Sequence, residues 1–148
     1  MKIKQILNRF YVHDIEQSIN FYEKILNEKC NMRFKYSEAN LELAQVGNIL
    51  IISGSDEALK PFKDTKATFL VDSIIEFKDF LLNNGATVIR DLKVVPTGMN
   101  MTVKHLDGAI VEYVEYKNKS WRIIKHVSQL SYMPVTITHI SNDIWVIY

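Results

Sequence analysis

The sequence has one cysteine, almost no net charge and no long apolar run, and each shortage excludes a class of protein. Cys30 has no second cysteine to pair with in this sequence, so an internal disulfide is excluded and a reducing compartment is favoured. The formal net charge of +1 creates no general field that would attract nucleic acid or an anionic membrane. No window approaches the roughly twenty apolar residues of a membrane span, and residues 1–4 lack a signal-peptide run. We therefore expect a cytoplasmic protein without nucleic-acid or membrane partners.

The 148 residues are enough for one domain with a substantial core. A hydrophobic content of 47% and a charged content of 24% are typical of a globular protein. Composition therefore leaves the fold class open, and the order of the residues has to decide it.

Two parts of the chain match each other in the same order, which indicates a duplicated unit. Residues 10–15 align with residues 69–74 at an offset of 59, and residues 47–51 align with residues 108–112 at an offset of 61. The small change in offset needs only a two-residue insertion in a loop. We therefore expect two copies of one structural pattern.

Each copy is predicted to contain a strand, a helix and three further strands. Apolar residues alternate in the first strand of each copy, which is the period of a half-buried strand. The helices begin after Asp14 and Ser73, whose side chains would satisfy free N–H groups of the first turn. The predicted strands lie at about 5–12, 30–36, 40–46 and 48–53, and then at 66–71, 86–94, 99–105 and 109–116. The fold class is therefore α+β with two βαβββ modules, connected by residues 54–65.

Residues 117–148 belong to neither copy. Residues 120–127 are predicted to begin an amphipathic helix, and residues 135–140 and 144–148 are strand-like. So apolar a tail is expected to pack on its own module, on a twin subunit or on a further domain.

Three stretches, residues 10–26, 85–89 and 96–112, resemble the vicinal oxygen chelate superfamily, which includes glyoxalase I, bleomycin-resistance proteins and extradiol dioxygenases. The resemblance implies that residues 1–116 form a glyoxalase-like domain, with modules at about 1–56 and 64–116 and a C-terminal extension at 117–148. It also implies a U-shaped cavity between the modules and a homodimer. Enzymes of this superfamily hold one divalent metal in that cavity.

The resemblance places the metal ligands at four positions, which here read Leu7, Ile51, Lys66 and Glu112. A divalent metal needs lone-pair donors, and neither an alkyl group nor an ammonium provides one. The four histidines share no helix face or strand at ligand spacing, so surface or capping roles are expected for them. We therefore expect neither a metal nor another cofactor.

Strand alternation assigns a different set of side chains to the cavity. If one face of each first strand packs on the helices, the other face is exposed to the cavity. That face carries Leu7, Arg9, Tyr11, Lys66, Thr68 and Leu70, and the resemblance adds the positions of Ile51 and Glu112. The expected ligand-binding residues are Leu7, Arg9, Tyr11, Ile51, Lys66, Thr68 and Glu112. Their mixture of apolar, aromatic and cationic groups suits an organic ligand with an acidic or hydrogen-bonding group. Lys66 and Glu112 are further expected to form an ion pair where the metal would otherwise lie.

Three functions are compatible with this set. The first is a bleomycin-resistance-like protein that binds a small organic ligand without a metal. The second is a lyase or isomerase of the lactoylglutathione lyase type, with Glu112 as a general base if burial raises its pKa. The third is a ligand-sensing module of a larger regulatory protein, attached through the tail. The residues at the metal-ligand positions favour the first.

Overall fold

The computed structural model describes residues 1–95 and 97–117, together with the backbone of residues 137–140 and 144–147. The elements follow one another as β1 (Ile3–Val12), α1 (Ile15–Leu26), β2 (Cys30–Tyr36), a 3₁₀ turn (Ser37–Ala39), β3 (Leu41–Val46), β4 (Ile49–Ser53), α2 (Asp56–Leu59), β5 (Thr65–Val71), α3 (Ile74–Asn83), β6 (Thr87–Val95), β7 (Gly98–Lys104) and β8 (Ile110–Tyr116). The predicted βαβββ order is thus confirmed twice over. Every predicted strand boundary in this part of the chain lies within two residues of the observed one.

The eight strands form one mixed sheet in the order β2-β3-β4-β1-β5-β8-β7-β6. In each module the first strand pairs in parallel with the last one, β1 with β4 and β5 with β8. The two modules join where β1 pairs antiparallel with β5. The duplicated halves are therefore related by an approximate two-fold axis between these central strands, which confirms the α+β fold of paired modules.

The predicted signals for the helix ends are present in the structure. The Asp14 side chain accepts a hydrogen bond from the Gln17 N–H at α1, and the Ser73 hydroxyl accepts one from the Glu76 N–H at α3. Gly85, directly after the cap of α3, has φ +83°, a left-handed conformation that glycine adopts without a Cβ penalty. These residues set the lengths of both helices.

The two long helices cover one side of the sheet, which we call the helix face. Ile15 and Ile19 of α1 pack on the buried residues Ala44, Val46 and Ile51 of β3 and β4. In the second module, α3 packs its own apolar stripe on β7 and β8, and the buried set is Val71, Ile74, Phe77, Met101, Val103, Val111 and Tyr113. The opposite side of the sheet, the inner face, is therefore left for the predicted ligand site.

A third apolar core lies on the inner face. Its buried members are Leu7, Met32, Leu41, Leu50, Ile52, Leu59, Leu70 and Val114, which come from both modules. Leu59 belongs to α2, inside the connection between the modules, and Ala58 and Phe62 pack beside it. Residues 54–64, which we call the cover segment, therefore lie across the inner face and bury part of it.

The sheet curls until its two edges approach each other. Lys93 of the edge strand β6 forms an ion pair of 3.0 Å with Glu38, which directly follows the other edge strand, β2. Arg90 of β6 donates a hydrogen bond of 2.7 Å to the Pro61 carbonyl and lies 5.0 Å from the centre of the Phe62 ring. The inner face is thus enclosed by both modules and by the cover segment.

In the tail, the predicted strands are confirmed as β9 (Ile137–Ile140) and β10 (Ile144–Ile147), which pair antiparallel. The predicted helix at 120–127 lies outside the described residues. Within the described part of the chain, no helix is long and apolar enough to cross a membrane.

Candidate functional site

Arg9, Thr68 and Glu112 meet on the inner face beside the junction of the modules. Arg9 Nη1 lies 3.2 Å from Glu112 Oε2 and 3.5 Å from the Thr68 hydroxyl oxygen, and that hydroxyl donates to the same carboxylate oxygen at 3.2 Å. The Arg9 side chain is only 5% exposed, whereas that of Glu112 is 25% exposed. The centre of the predicted site is therefore a largely buried ion pair with one solvent-accessible edge.

Two tyrosines extend this centre. The Arg9 guanidinium lies 5.6 Å from the centre of the Tyr11 ring, and the Tyr11 hydroxyl lies 2.5 and 2.6 Å from the carbonyl oxygens of Phe62 and Thr65. Burial raises the pKa of Tyr11, so its hydroxyl stays a hydrogen-bond donor near neutral pH. Burial, with a further contribution from the Glu112 charge, raises the pKa of Tyr116 to about 12. Tyr11 thus connects the ion pair to the cover segment.

The expected ion pair between Lys66 and Glu112 is wrong, because Arg9 takes the position of the cation. The pairing of β5 with β8 shifts by one residue between Thr65 and Ala67, so Lys66 lies in a β-bulge and is exposed. Beyond this bulge Thr68, and not Lys66, is level with Glu112. A bulge leaves its extra residue out of the ladder and re-aims the side chain, which removes Lys66 from the site.

Ile51 is also wrong as a residue of the site. It is fully buried under α1 on the helix face, whereas its neighbour Leu50 packs in the core of the inner face. Leu50 pairs with Arg9 as Glu112 pairs with Thr68, so Leu50 is the structural counterpart of Glu112. A shift of one residue moves every side chain of a strand to the opposite face. The repeat offset of 61 was therefore one residue too small at this position.

Leu7 is on the predicted face, but it is 0% exposed and belongs to the apolar core there. The structure thus brings Leu7, Arg9, Tyr11, Thr68 and Glu112 together, with Leu7 beneath the surface. Sequence reasoning missed Tyr116, although its spacing of four from Glu112 places both on one face of β8. It also missed that residues 54–64 cover the inner face, because the contacts of this segment with Tyr11 and Arg90 join residues distant in sequence.

The residues at the centre do not fit a divalent metal. A guanidinium, a hydroxyl, two leucines and one carboxylate supply a single strong oxygen ligand, and divalent metals in proteins take several. Within residues 1–95 and 97–117, no three His, Cys, Asp or Glu side chains come together as a metal site would need. The Oε2 atom of Glu112 is moreover already paired with the Arg9 guanidinium at 3.2 Å.

Two open hollows lie elsewhere on the described surface. One, of about 320 Å³, is formed by the end of α3 and the turn before β8, and the other, of about 140 Å³, is lined by Val94, Gly98, Met99, Glu115 and Lys117. Neither is lined by Arg9 or Glu112. The inner-face site is therefore identified by its convergent polar groups and not by a large preformed cavity.

Comparison with solved structures supports both the fold and a family relationship. An uncharacterised protein from Methanosarcina mazei is 53% identical, and the alignment covers 81% of this chain and 98% of that protein at a TM-score of 0.76. No family model and no curated protein matches the chain.

More distant similarities extend to proteins of known activity. A hypothetical protein from Bacillus halodurans is 18% identical, with a TM-score of 0.65 over 80% of this chain and 96% of that one. Methylmalonyl-CoA epimerase from Mycobacterium tuberculosis is 13% identical, with a TM-score of 0.64 over 78% of this chain and 89% of that enzyme. At these identities the likeness shows the fold, which is that of the vicinal oxygen chelate superfamily.

Proposed function

We propose, from the premise that this chain belongs to one family with the uncharacterised Methanosarcina mazei protein and has the vicinal oxygen chelate fold, that it binds a small organic acid on its inner face. The acid group pairs with Arg9, and the apolar part of the ligand lies against the core residues exposed when the cover segment moves. A bound divalent metal has no part in this function.

The observation that carries the proposal is the state of the Arg9 guanidinium. Its Nη1 atom is satisfied by Glu112 and Thr68, but its Nε atom is buried and has no hydrogen-bond partner among the described residues. A buried donor without an acceptor costs about 1–3 kcal/mol, which a ligand oxygen would recover. A carboxylate suits this donor because its oxygens accept the short, charge-assisted hydrogen bonds that a guanidinium makes.

Movement of the cover segment would give access to Arg9. The Tyr11 ring lies beside Arg9, and the Tyr11 hydroxyl donates a hydrogen bond to Phe62 of the segment. Arg90 donates one from the other module to the Pro61 carbonyl. A ligand that displaces these contacts binds a minor open state, so the population of that state lowers its apparent affinity. The cover segment therefore favours ligands whose acid group forms hydrogen bonds in place of those that are broken when the segment moves.

A lyase or isomerase is the weaker alternative. Proton abstraction needs a carboxylate that is free to accept the proton, and Glu112 Oε2 is engaged by both Arg9 and Thr68. Glu112 is moreover paired with a cation, and not isolated among apolar groups as the predicted general base would be. Binding without chemical conversion thus agrees better with this geometry. The sensor alternative rests on the tail, most of which lies outside the described residues.

The proposal is tested by titrating the protein with benzoate and with benzamide, which has the same ring but no charge. We expect benzoate to raise the melting temperature and to shift the Arg9 Nε–Hε resonance, while benzamide does neither. Arg9→Met should abolish the benzoate effect. Arg33→Met is the matched control, because Arg33 is held by the carboxylates of Glu16 and Glu42 away from this site.

Equal responses to benzoate and benzamide would contradict the proposal, as would equal losses in the two arginine variants. If Arg9→Met does not fold, the Nε–Hε resonance of the unsubstituted protein still decides the question. A resonance unmoved at saturating benzoate means that Arg9 does not bind the acid.

A further inference from the structure

The hollow of about 320 Å³ lies on the helix face of the second module, across the sheet from Arg9. It is lined by Leu81, Asn84, Ala86, His105, Leu106, Asp107 and Tyr113. This volume is at the lower end of the range for small-molecule sites, and such sites combine apolar walls with a few convergent polar groups. The hollow has both features.

The apolar part comes from the end of α3 and from the turn before β8. Leu106 is 78% exposed and lies so close to Gly85 that a Cβ atom there would be 3.1 Å from Leu106 Cδ2. An isolated leucine this exposed on a tight turn buries little of its own surface. It forms an apolar rim that a flat ligand would cover, opposite Leu81 and Ala86.

The polar part is a hydrogen-bonded pair. His105 Nε2 lies 2.8 Å from the Tyr113 hydroxyl, and Phe69 contacts both rings, with centroid distances of 6.2 and 5.4 Å. Burial raises the pKa of Tyr113 to about 12, so the hydroxyl keeps its proton and takes part in this hydrogen bond as a neutral group. The bond engages Nε2 and leaves Nδ1 of His105 for a hydrogen bond to a ligand.

The charge of the lining determines which ligand suits the hollow. Among the described residues of the lining, Asp107 is the only carboxylate, and it is fixed by accepting a hydrogen bond from the Ala109 N–H at 2.9 Å. A carboxylate at the rim repels an anionic ligand, and no lysine or arginine of the described lining offsets this repulsion. The ligand must therefore be uncharged or weakly cationic.

We propose that this hollow binds a small, uncharged heteroaromatic molecule, whose ring packs between Leu81, Ala86 and Leu106 and whose ring nitrogens form a hydrogen bond with Nδ1 of His105. The site is independent of the inner face and has the opposite charge preference. The two sites would let one chain bind two chemically different molecules.

The experiment is an amide NMR titration of the full chain with benzimidazole at slightly alkaline pH, where this probe is uncharged. We expect saturable shifts at residues 81–86 and 105–113 with a dissociation constant on the order of 1 mM. Benzoate should leave these residues unshifted. His105→Phe keeps an aromatic ring but removes the hydrogen-bonding nitrogens, and it should weaken benzimidazole binding by about fivefold.

His13→Phe is the matched control, because His13 is an exposed histidine paired with Asp56 on the cover segment. It should leave the titration unchanged. Ala86→Leu fills the hollow and should weaken binding while the melting curve confirms that the variant folds. The proposal is overturned if benzimidazole shifts only inner-face residues, if benzoate binds the hollow equally well, or if His105→Phe and His13→Phe behave alike.

Discussion

Removing the charges of Arg9 and Glu112 singly and together tests whether the ion pair organises the inner face. At the Nη1–Oε2 distance of 3.2 Å, two unit charges attract by about 5 kcal/mol at an effective dielectric constant near 20. Solvent reaches a quarter of the Glu112 side chain and screens part of this attraction. We therefore expect a coupling energy of about 2–4 kcal/mol in a double-mutant cycle with Arg9→Met and Glu112→Gln.

The double variant of the cycle should be more stable than either single variant. Arg9→Met leaves a carboxylate without its cation, and Glu112→Gln leaves a buried guanidinium without its anion, so each single variant loses stability. The double variant should recover most of this loss, because its two neutral side chains no longer carry the desolvation cost of buried charges. Urea denaturation of all four proteins gives the four free energies of unfolding.

The control cycle uses Lys78 and Asp91, whose N–O distance of 2.6 Å is even shorter and whose aspartate side chain is 69% exposed. Its coupling should be much smaller, because water screens the exposed carboxylate. If the Arg9–Glu112 coupling does not exceed that of Lys78–Asp91, the reasoning about a buried, organising ion pair is refuted.

Two further predictions concern the fold. Gly98→Ala should lower the free energy of unfolding, measured by urea denaturation, by roughly 3 kcal/mol or more, because a Cβ there would lie 2.0 Å from the Glu115 carbonyl oxygen. Gly108→Ala is the control: a Cβ there would have nothing within 4 Å, so only its positive φ should lower the stability, by about 1 kcal/mol. Equal losses in the two variants would contradict the clash. The pKa of Tyr113 is about 12 in the folded state and near 10 in the unfolded state. This difference stabilises the folded protein by roughly 1–3 kcal/mol below pH 10, and the stabilisation is lost as pH rises from 10 to 12. Tyr113→Phe should flatten the unfolding free energy over this interval, and an unchanged pH dependence would refute the assignment.

Most of the fold could be predicted from local patterns. Alternation in the strands, the caps at Asp14 and Ser73 and the stop at Gly85 each depend on residues close in sequence. The duplication then indicated which strands correspond between the two modules, and the resemblance implied that the modules enclose a cavity together. These signals agree with one another, which is the condition under which sequence reasoning about a fold succeeds.

The site could be predicted only in part, because the positions of its side chains depend on how strands distant in sequence pair with each other. The bulge at Lys66 depends on how β5 meets β8, and a lysine in a strand gives no local sign of it. A one-residue error in the repeat offset put Ile51 in the place of Leu50. The bulge separately leaves Thr68, and not Lys66, level with Glu112. The role of Arg9 as the cation was missed for the same reason, although its place on the inner face was predicted correctly.

The most direct test of the account is paramagnetic line broadening in amide NMR spectra during a titration with Mn²⁺. We propose that Arg9 takes the place of a metal beside Glu112, so Mn²⁺ at one equivalent per chain should cause no selective broadening at Thr68 and Glu112. Saturable broadening centred on these two residues would show that the inner face binds a divalent cation, and it would contradict the account.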